Sequence, residues 1–179
     1  MNIKKIKLLF FVSEDWYFCS HRLPLALAAK ENGYNVIVVT RSREYSKQIK
    51  DLGIKVIPFE QNRGSINPFS IMFTILRLAY IYQREKPDII HNVSIKQVII
   101  GAVSALISRN KNIVSAITGL GWISNKDNYK SKFLERIVKK ILKILPLGQV
   151  IVQNKDDMRW IENLGTNKFQ INLIRGSGV

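Results

Sequence analysis

Two histidines, an arginine, an acidic pair and a glycine turn are the residues of this 179-residue chain with the types and spacing to do chemistry. His21 and His91 are its only histidines. Near neutral pH an imidazole can give or take a proton, or hydrogen-bond a hydroxyl or a phosphate. His21 is followed by Arg22, whose planar guanidinium suits a phosphate. The segment Thr118-Gly119-Leu120-Gly121 has two glycines that allow close backbone approach and amides that could cradle an anion. Adjacent Glu14 and Asp15 would suit a divalent cation only with a further aspartate after the third strand, where Pro58-Phe59 stands instead. No metal site is expected.

Apolar runs of strand length alternate with amphipathic stretches of helix length, and this alternation must position those residues. Strands are predicted over 6–12, 35–40, 55–59, 88–92, 113–117, 150–153 and 170–174. Helices are predicted near 22–32, 43–52, 68–85, 96–107, 130–144 and 156–164. Several strand runs are apolar on both faces, as parallel strands covered on both sides are. The class is therefore α/β, a doubly wound parallel sheet of about seven strands with functional loops at the strands' carboxyl ends. Residues 13–18 read as the loop after the first strand. Ser20 reads as an N-cap with Pro24 in the first helical turn, and Gly33 as the helix's C-terminal glycine. His91 follows Asp88-Ile89-Ile90, so its side chain is expected to emerge at the end of the fourth strand.

Composition narrows the classes further. Hydrophobic content of 46% with 23% charged residues is that of a globular domain, and one cysteine, Cys19, excludes an internal disulfide and a Cys-rich zinc site. No run reaches the roughly 20 apolar residues that span a bilayer. Residues 1–12 imitate a signal peptide, but Glu14 and Asp15 interrupt them and no small-residue cleavage site follows, so the expected location is cytoplasmic. The formal charge of +15 attracts anions: nucleic acid, acidic headgroups or phosphorylated small molecules. It is densest over 129–145, where an apolar face is opposed by Lys130, Lys132, Arg136, Lys139, Lys140 and Lys143 with Glu135 the only acid. An ordinary core-facing helix accounts for the apolar residues. The cations Lys132, Arg136, Lys139, Lys140 and Lys143 would suit an anionic membrane surface. Nucleic acid is disfavoured, because the lysines are dispersed and no RNA-binding aromatic motif or helix-turn-helix pattern occurs. The loop after the first strand carries neither G-x-G-x-x-G nor a P-loop, which excludes the usual nicotinamide and P-loop nucleotide sites.

Read together, Glu14-Asp15-Trp16-Tyr17-Phe18-Cys19-Ser20-His21-Arg22-Leu23-Pro24, His91 through Lys96, Ala116-Ile117-Thr118-Gly119-Leu120-Gly121 and the terminal Ile174-Arg175-Gly176-Ser177-Gly178-Val179 resemble motifs of one family. It is the subfamily-4-like N-terminal domain of GT-B glycosyltransferases of the bacterial surface polysaccharide type, lipopolysaccharide and capsule included. The resemblance implies a Rossmann-like fold and a single acceptor-binding domain over 1–179, with the nucleotide-sugar-binding C-terminal domain expected to be absent from this chain. It implies transfer of a sugar from a nucleotide-sugar donor, a co-substrate held mainly by that second domain, to a lipid-linked saccharide, with no cofactor and no metal. Glu14, Asp15, His21, Arg22, Lys96, Thr118, Gly119 and Gly121 would then line the acceptor cleft, with Arg22 on an acceptor phosphate and His91 as the catalytic candidate. Val93 stands where many relatives have the second histidine of an H-x-H pair. The partners implied are the acceptor, an anionic membrane surface at the inner face of the cytoplasmic membrane, and a C-terminal-domain subunit. The alternative is a non-catalytic subunit or truncated product that binds acceptor but needs that subunit for activity.

Overall fold

The computed structural model describes residues 5–61, 68–118, 129–165 and 169–175, of which 129–134 only as backbone. The chain runs β1 (Lys7–Glu14), α1 (Asp15–His21), α2 (Leu23–Glu31), β2 (Asn35–Arg41), α3 (Ser46–Asp51), β3 (Lys55–Pro58), α4 (Pro68–Glu85), β4 (Ile89–Val93), α5 (Ile95–Ile107), β5 (Ile113–Ile117), α6 (Tyr129–Ile144), β6 (Gln149–Val152), α7 (Lys155–Glu162) and β7 (Gln170–Leu173). All seven predicted strands form, and they pair in parallel in the order β3-β2-β1-β4-β5-β6-β7.

The apolar run of β1 explains its central place. Leu8, Phe10 and Val12 pack to one side with Phe18 of α1, Ala26 of α2 and Ile49 of α3. Leu9 and Phe11 pack to the other with Leu78 and Tyr82 of α4 and Ile100 of α5. Such a strand is stable only where both faces are covered. The apolar part of the stretch that imitated a signal peptide, from Lys7 on, is therefore the middle of the sheet. Farther along, Val98 of α5, Val138 and Leu142 of α6, and Trp160 and Ile161 of α7 cover β5 and β6.

Residues 13–18 are not the expected loop. β1 continues through Glu14, and α1 starts at Asp15 without a gap. Ser20 is consequently not an N-cap. It lies inside α1, and its hydroxyl donates back to the Trp16 carbonyl at 3.0 Å. The junction of the two helices is Arg22, at once the C-cap of α1 and the N-cap of α2. Pro24 does fall in the first turn of α2, and Gly33 follows its end with φ +85°.

The tightest approach between layers is α5 against β4. A Cβ on Gly101 would stand 2.1 Å from Oδ1 of Asn92, a fully buried side chain that also accepts from the Tyr82 hydroxyl at 3.3 Å. Alanine gains about 1 kcal/mol of helix propensity over glycine, but overpacking costs about 1–3 kcal/mol, and here the obstacle has nowhere to go. Gly101→Ala should lower unfolding free energy by about 1 kcal/mol net in urea titrations. Adding Asn92→Ser should recover most of that loss, and a single variant as stable as wild type would refute the contact.

Candidate functional site

The strand order reverses direction at β1. The chain moves outward to β2 and β3 with α2 and α3 on one face, then crosses to β4 and onward with α4 and α5 on the other. Next to such a reversal, at the carboxyl ends of the strands, the connections part and leave a crevice. A cleft of about 220 Å³ lies there, lined by Ser13, Glu14, Arg41, Gln61, Ser94, Lys96 and Gln97.

Its wall is a charged network. Glu14, the last residue of β1, is buried and pairs with the Arg41 guanidinium at 3.3 Å. Arg41 also bonds Glu60 at 3.0 Å and the Gln61 carbonyl at 2.6 Å, and Arg43 reaches the same Glu60 at 3.1 Å. The opposite wall is the start of α5. Its N-cap, Ser94, has φ +82° and ψ 156°, a region that side chains rarely occupy. That twist turns its N–H to the Ala116 carbonyl at 2.9 Å and its hydroxyl to Gln97 Oε1. Hydroxyls, carboxamides, a carboxylate and cations thus converge on a polar cavity, a lining suited to sugar hydroxyls and phosphate oxygens.

Of the predicted site residues, the structure brings Glu14 and Lys96 together in this cleft. Asp15 is elsewhere. Its fully buried carboxylate accepts from the Arg43 N–H at 2.6 Å, the Ser46 hydroxyl at 2.9 Å and the Trp16 N–H at 2.8 Å. It fastens α1 to the start of α3, a structural tie outside the smaller cleft. Asp15, Trp16, Arg43, Glu44 and Tyr45 line a larger open hollow of about 700 Å³. His21 stacks on Tyr17 at 4.3 Å between ring centres and shares a 2.6 Å hydrogen bond with Ser20 Oγ. Thr118 ends the described part of its loop, and Gly119 and Gly121 lie outside the described residues.

His91 departs most from expectation. It sits in mid-strand, in register with Phe10 of β1 and Val114 of β5. Only 5% of it is exposed, its ring lies 5.1 Å from that of Phe10, and Nε2 has no hydrogen-bond partner. Burial, and secondarily the positive charge of Arg22, push its pKa down to about 3. A ring so placed is enclosed in mid-strand, and its burial favours the neutral form. Arg22 is its counterpart. Its Nε is buried without a partner, and burial lowers its pKa. Among the described residues, no carboxylate pairs with it.

On α6, the expected membrane cations divide. Lys139 is held by Glu135 at 2.8 Å and lies over the Trp160 ring at 5.0 Å, while Trp160 Nε1 donates to the same carboxylate at 2.9 Å. Hydrogen bonding to Lys139 keeps the Glu135 carboxyl below its usual range. Arg136, Lys140 and Lys143 are exposed, and the side chain of Lys132 lies outside the described residues. Val138 and Leu142 are core, so α6 is first of all a structural helix. No described helix is long and apolar enough to cross a membrane.

Sequence reasoning missed Ser13, Arg41, Gln61, Ser94 and Gln97. For Arg41 a signal existed: it directly follows the apolar run of the second strand, at the edge where sites form. For Gln61 and Gln97 none did, since a lone carboxamide carries no pattern in sequence.

Comparison with known proteins places this geometry. The profile of the family described as "Glycosyl transferase 4-like" matches residues 7–154. The N,N'-diacetylbacillosaminyl-diphospho-undecaprenol alpha-1,3-N-acetylgalactosaminyltransferase of Campylobacter jejuni is 26% identical over 160 residues, covering 88% of this chain and 43% of that protein. Among solved structures, Anabaena HepE in complex with UDP and glucose superposes with a TM-score of 0.66 at 14% identity, covering 97% of this chain and 45% of that one. A glycosyltransferase from Rickettsia africae does so with a TM-score of 0.64 at 17% identity, covering 97% and 43%. The chain thus spans less than half the length of these relatives.

The state of His91 has a measurable consequence. Its folded pKa is about 3 against an ordinary 6.5, so between those values the unfolded chain holds a proton that the folded chain does not. Its contribution to stability is complete above the upper value and is lost as pH falls toward the lower, at up to about 1.4 kcal/mol per pH unit. Urea titrations between about pH 7 and pH 5 should show that slope in wild type and a shallower one in His91→Leu. Equal slopes would mean that the ring is not enclosed in this way.

Proposed function

The chain belongs to the glycosyl transferase 4-like family, and we propose from that premise that it is the acceptor-binding part of a glycosyltransferase. The enzyme would move a sugar from a nucleotide-sugar donor to a lipid-linked saccharide in surface polysaccharide synthesis, at the inner face of the cytoplasmic membrane. The observation that carries this reading is the polar cleft at the carboxyl ends of β1, β2 and β4. It offers Glu14, Gln61, Ser94 and Gln97 to sugar hydroxyls, and cationic Arg41 and Lys96 to oxygens bearing negative charge.

The name of the Campylobacter relative specifies a diphospho-undecaprenol-linked sugar. An acceptor of that class would bring a diphosphate to this domain. Arg22 suits it, because a partly buried guanidinium with an unpartnered Nε gains most from a charge-assisted bond to a phosphate oxygen. Arg22 is also the N-cap of α2, whose first-turn backbone N–H groups, Pro24 excepted, have no acceptor within the helix. The neutral ring of His91 behind it avoids setting a second cation against the guanidinium. No residue of the cleft is required as a strong base if the leaving phosphate of the donor accepts the acceptor's proton. The donor's nucleotide would be gripped by a domain of the other GT-B type, supplied by a continuation of the chain or by a partner subunit.

Both parts can be measured. A short-chain polyprenyl-diphosphate saccharide should bind the chain, and Arg22→Ala should weaken it about 10–100-fold while leaving binding of the phosphate-free saccharide unchanged. Equal binding of the two compounds by wild type and variant would exclude Arg22 from phosphate recognition. Residues 1–179 alone should show no sugar transfer, and adding a nucleotide-sugar-binding domain should start it. Transfer by the chain alone would overturn the division of labour.

A further inference from the structure

Two aromatic residues at the carboxyl edge of the sheet belong neither to the core nor to the cleft. Trp16 is 48% exposed and Tyr45 43% exposed. Trp16 is the second residue of α1, and Tyr45 lies in the connection from β2 to α3. Both line the open hollow of about 700 Å³, together with Asp15, Arg43 and Glu44. Tryptophan is highly buried on average, so one left half exposed on a concave surface marks a binding site.

The hollow is held in shape without a ligand. Asp15 Oδ2 accepts from the Arg43 N–H at 2.6 Å and the Ser46 hydroxyl at 2.9 Å, which fixes the connection carrying Tyr45 against α1. The Trp16 ring meets that of Tyr17 edge to face, with centres 5.8 Å apart, and Tyr17 in turn stacks on His21 at 4.3 Å. A platform already ordered loses little entropy on binding. Its polar ends are open: Trp16 Nε1–H, the Glu44 carboxylate and the Tyr45 hydroxyl make no hydrogen bond within the described residues. Charge then narrows the ligand. Arg43 is the only cation lining the hollow and already bonds Glu60 at 3.1 Å, while Asp15 and Glu44 add negative charge. On a chain of net charge +15 this spot is locally acidic, which repels phosphate and suits a neutral ligand. A pyranose ring has a face of C–H groups and a rim of hydroxyls. Aromatic rings suit the first, and carboxylate, guanidinium and phenol groups the second.

We propose that this hollow is a second sugar subsite, in which a neutral pyranose packs on Trp16 and Tyr45 and bonds Glu44 and Arg43 through its hydroxyls. The proposal rests on the acceptor reading above and extends it: the hollow takes the sugar unit beyond the one in the cleft. Arg41 lines the cleft, Arg43 lines the hollow, and both bond Glu60, so one ion-paired carboxylate separates the two. The cleft, at about 220 Å³, is smaller than the roughly 300–1,000 Å³ usual for a ligand pocket. A saccharide of more than one unit therefore extends past Glu60 into the hollow.

The test uses residues 1–179 carrying 5-fluorotryptophan, with the Trp16 fluorine resonance assigned by its loss in Trp16→Phe. The probes are methyl β-glycosides of glucose, galactose and their 2-acetamido forms, with uridine for comparison. At least one glycoside should shift the Trp16 resonance saturably, and uridine should not. Tyr45→Ala should weaken that binding at least about 5-fold, with an unaltered urea midpoint. No shift with any glycoside, or an equal or larger one with uridine, would overturn the proposal. A second measurement compares short-chain polyprenyl diphosphates carrying one sugar or two. Trp16→Ala should weaken the two-sugar compound about 5–10-fold and leave the one-sugar compound unchanged. Equal effects on both compounds would also overturn it. If wild type binds neither diphosphate while glycosides still move the Trp16 resonance, the acceptor reading fails and the sugar subsite stands.

Discussion

The handedness of parallel crossovers governs this molecule. A strand followed by a helix and a parallel strand in the same sheet turns right-handed almost without exception. A chain that starts at the middle of its sheet and builds outward both ways must therefore put its helices on opposite faces. Here α1–α3 lie on one face and α4–α7 on the other, with β1 and β4 paired between them. The crevice beside those strands exists because the connections leave it in opposite directions. Every candidate ligand contact in the domain is a residue that this constraint delivers to that edge.

Given the crevice, buried polar groups decide its form. Asp15 has no charge partner among the described residues and is instead satisfied by two backbone N–H groups and a hydroxyl. That is how an acid can be fully enclosed without a prohibitive desolvation cost. Glu14, one residue earlier, faces the cleft and is held by Arg41. Adjacent acids thus have opposite duties because successive residues at the end of a strand face opposite ways. Arg22 and His91 show the complementary case. Polar atoms left without partners in the interior are costly unless a ligand or water completes them.

How far the sequence could be read follows from the range of the forces involved. Strand positions such as Leu8–Val12 or Val36–Val39 are legible because burial on both faces leaves a continuous apolar run. The resemblance across the Glu14–Pro24 and His91–Lys96 segments located the relevant edge of the sheet, and both segments do border it. The helix at Asp15–His21 was missed because three aromatic residues in succession, Trp16, Tyr17 and Phe18, show no helical period. The burial of His91 was missed because a histidine inside an apolar strand reads the same whether it ends the strand or lies within it. One residue of register separates the two. That Trp16 and Tyr45 share a hollow was invisible for a related reason. In sequence, neither segment says that Asp15 ties it to the other.

The sequence by itself determined the α/β class, the parallel sheet and the family to which the chain belongs. These follow from local periodicity and from motifs that survive in one dimension. Only the tertiary structure decided that Arg41, Gln61, Ser94 and Gln97 meet Glu14 and Lys96 in one cavity, that Asp15 is a tie, that His91 is enclosed beside Arg22, and that Trp16 and Tyr45 line one hollow. Each of those depends on contacts between segments distant in the chain, and on which face of an element is already covered. Neither is written in the order of residues within any one element.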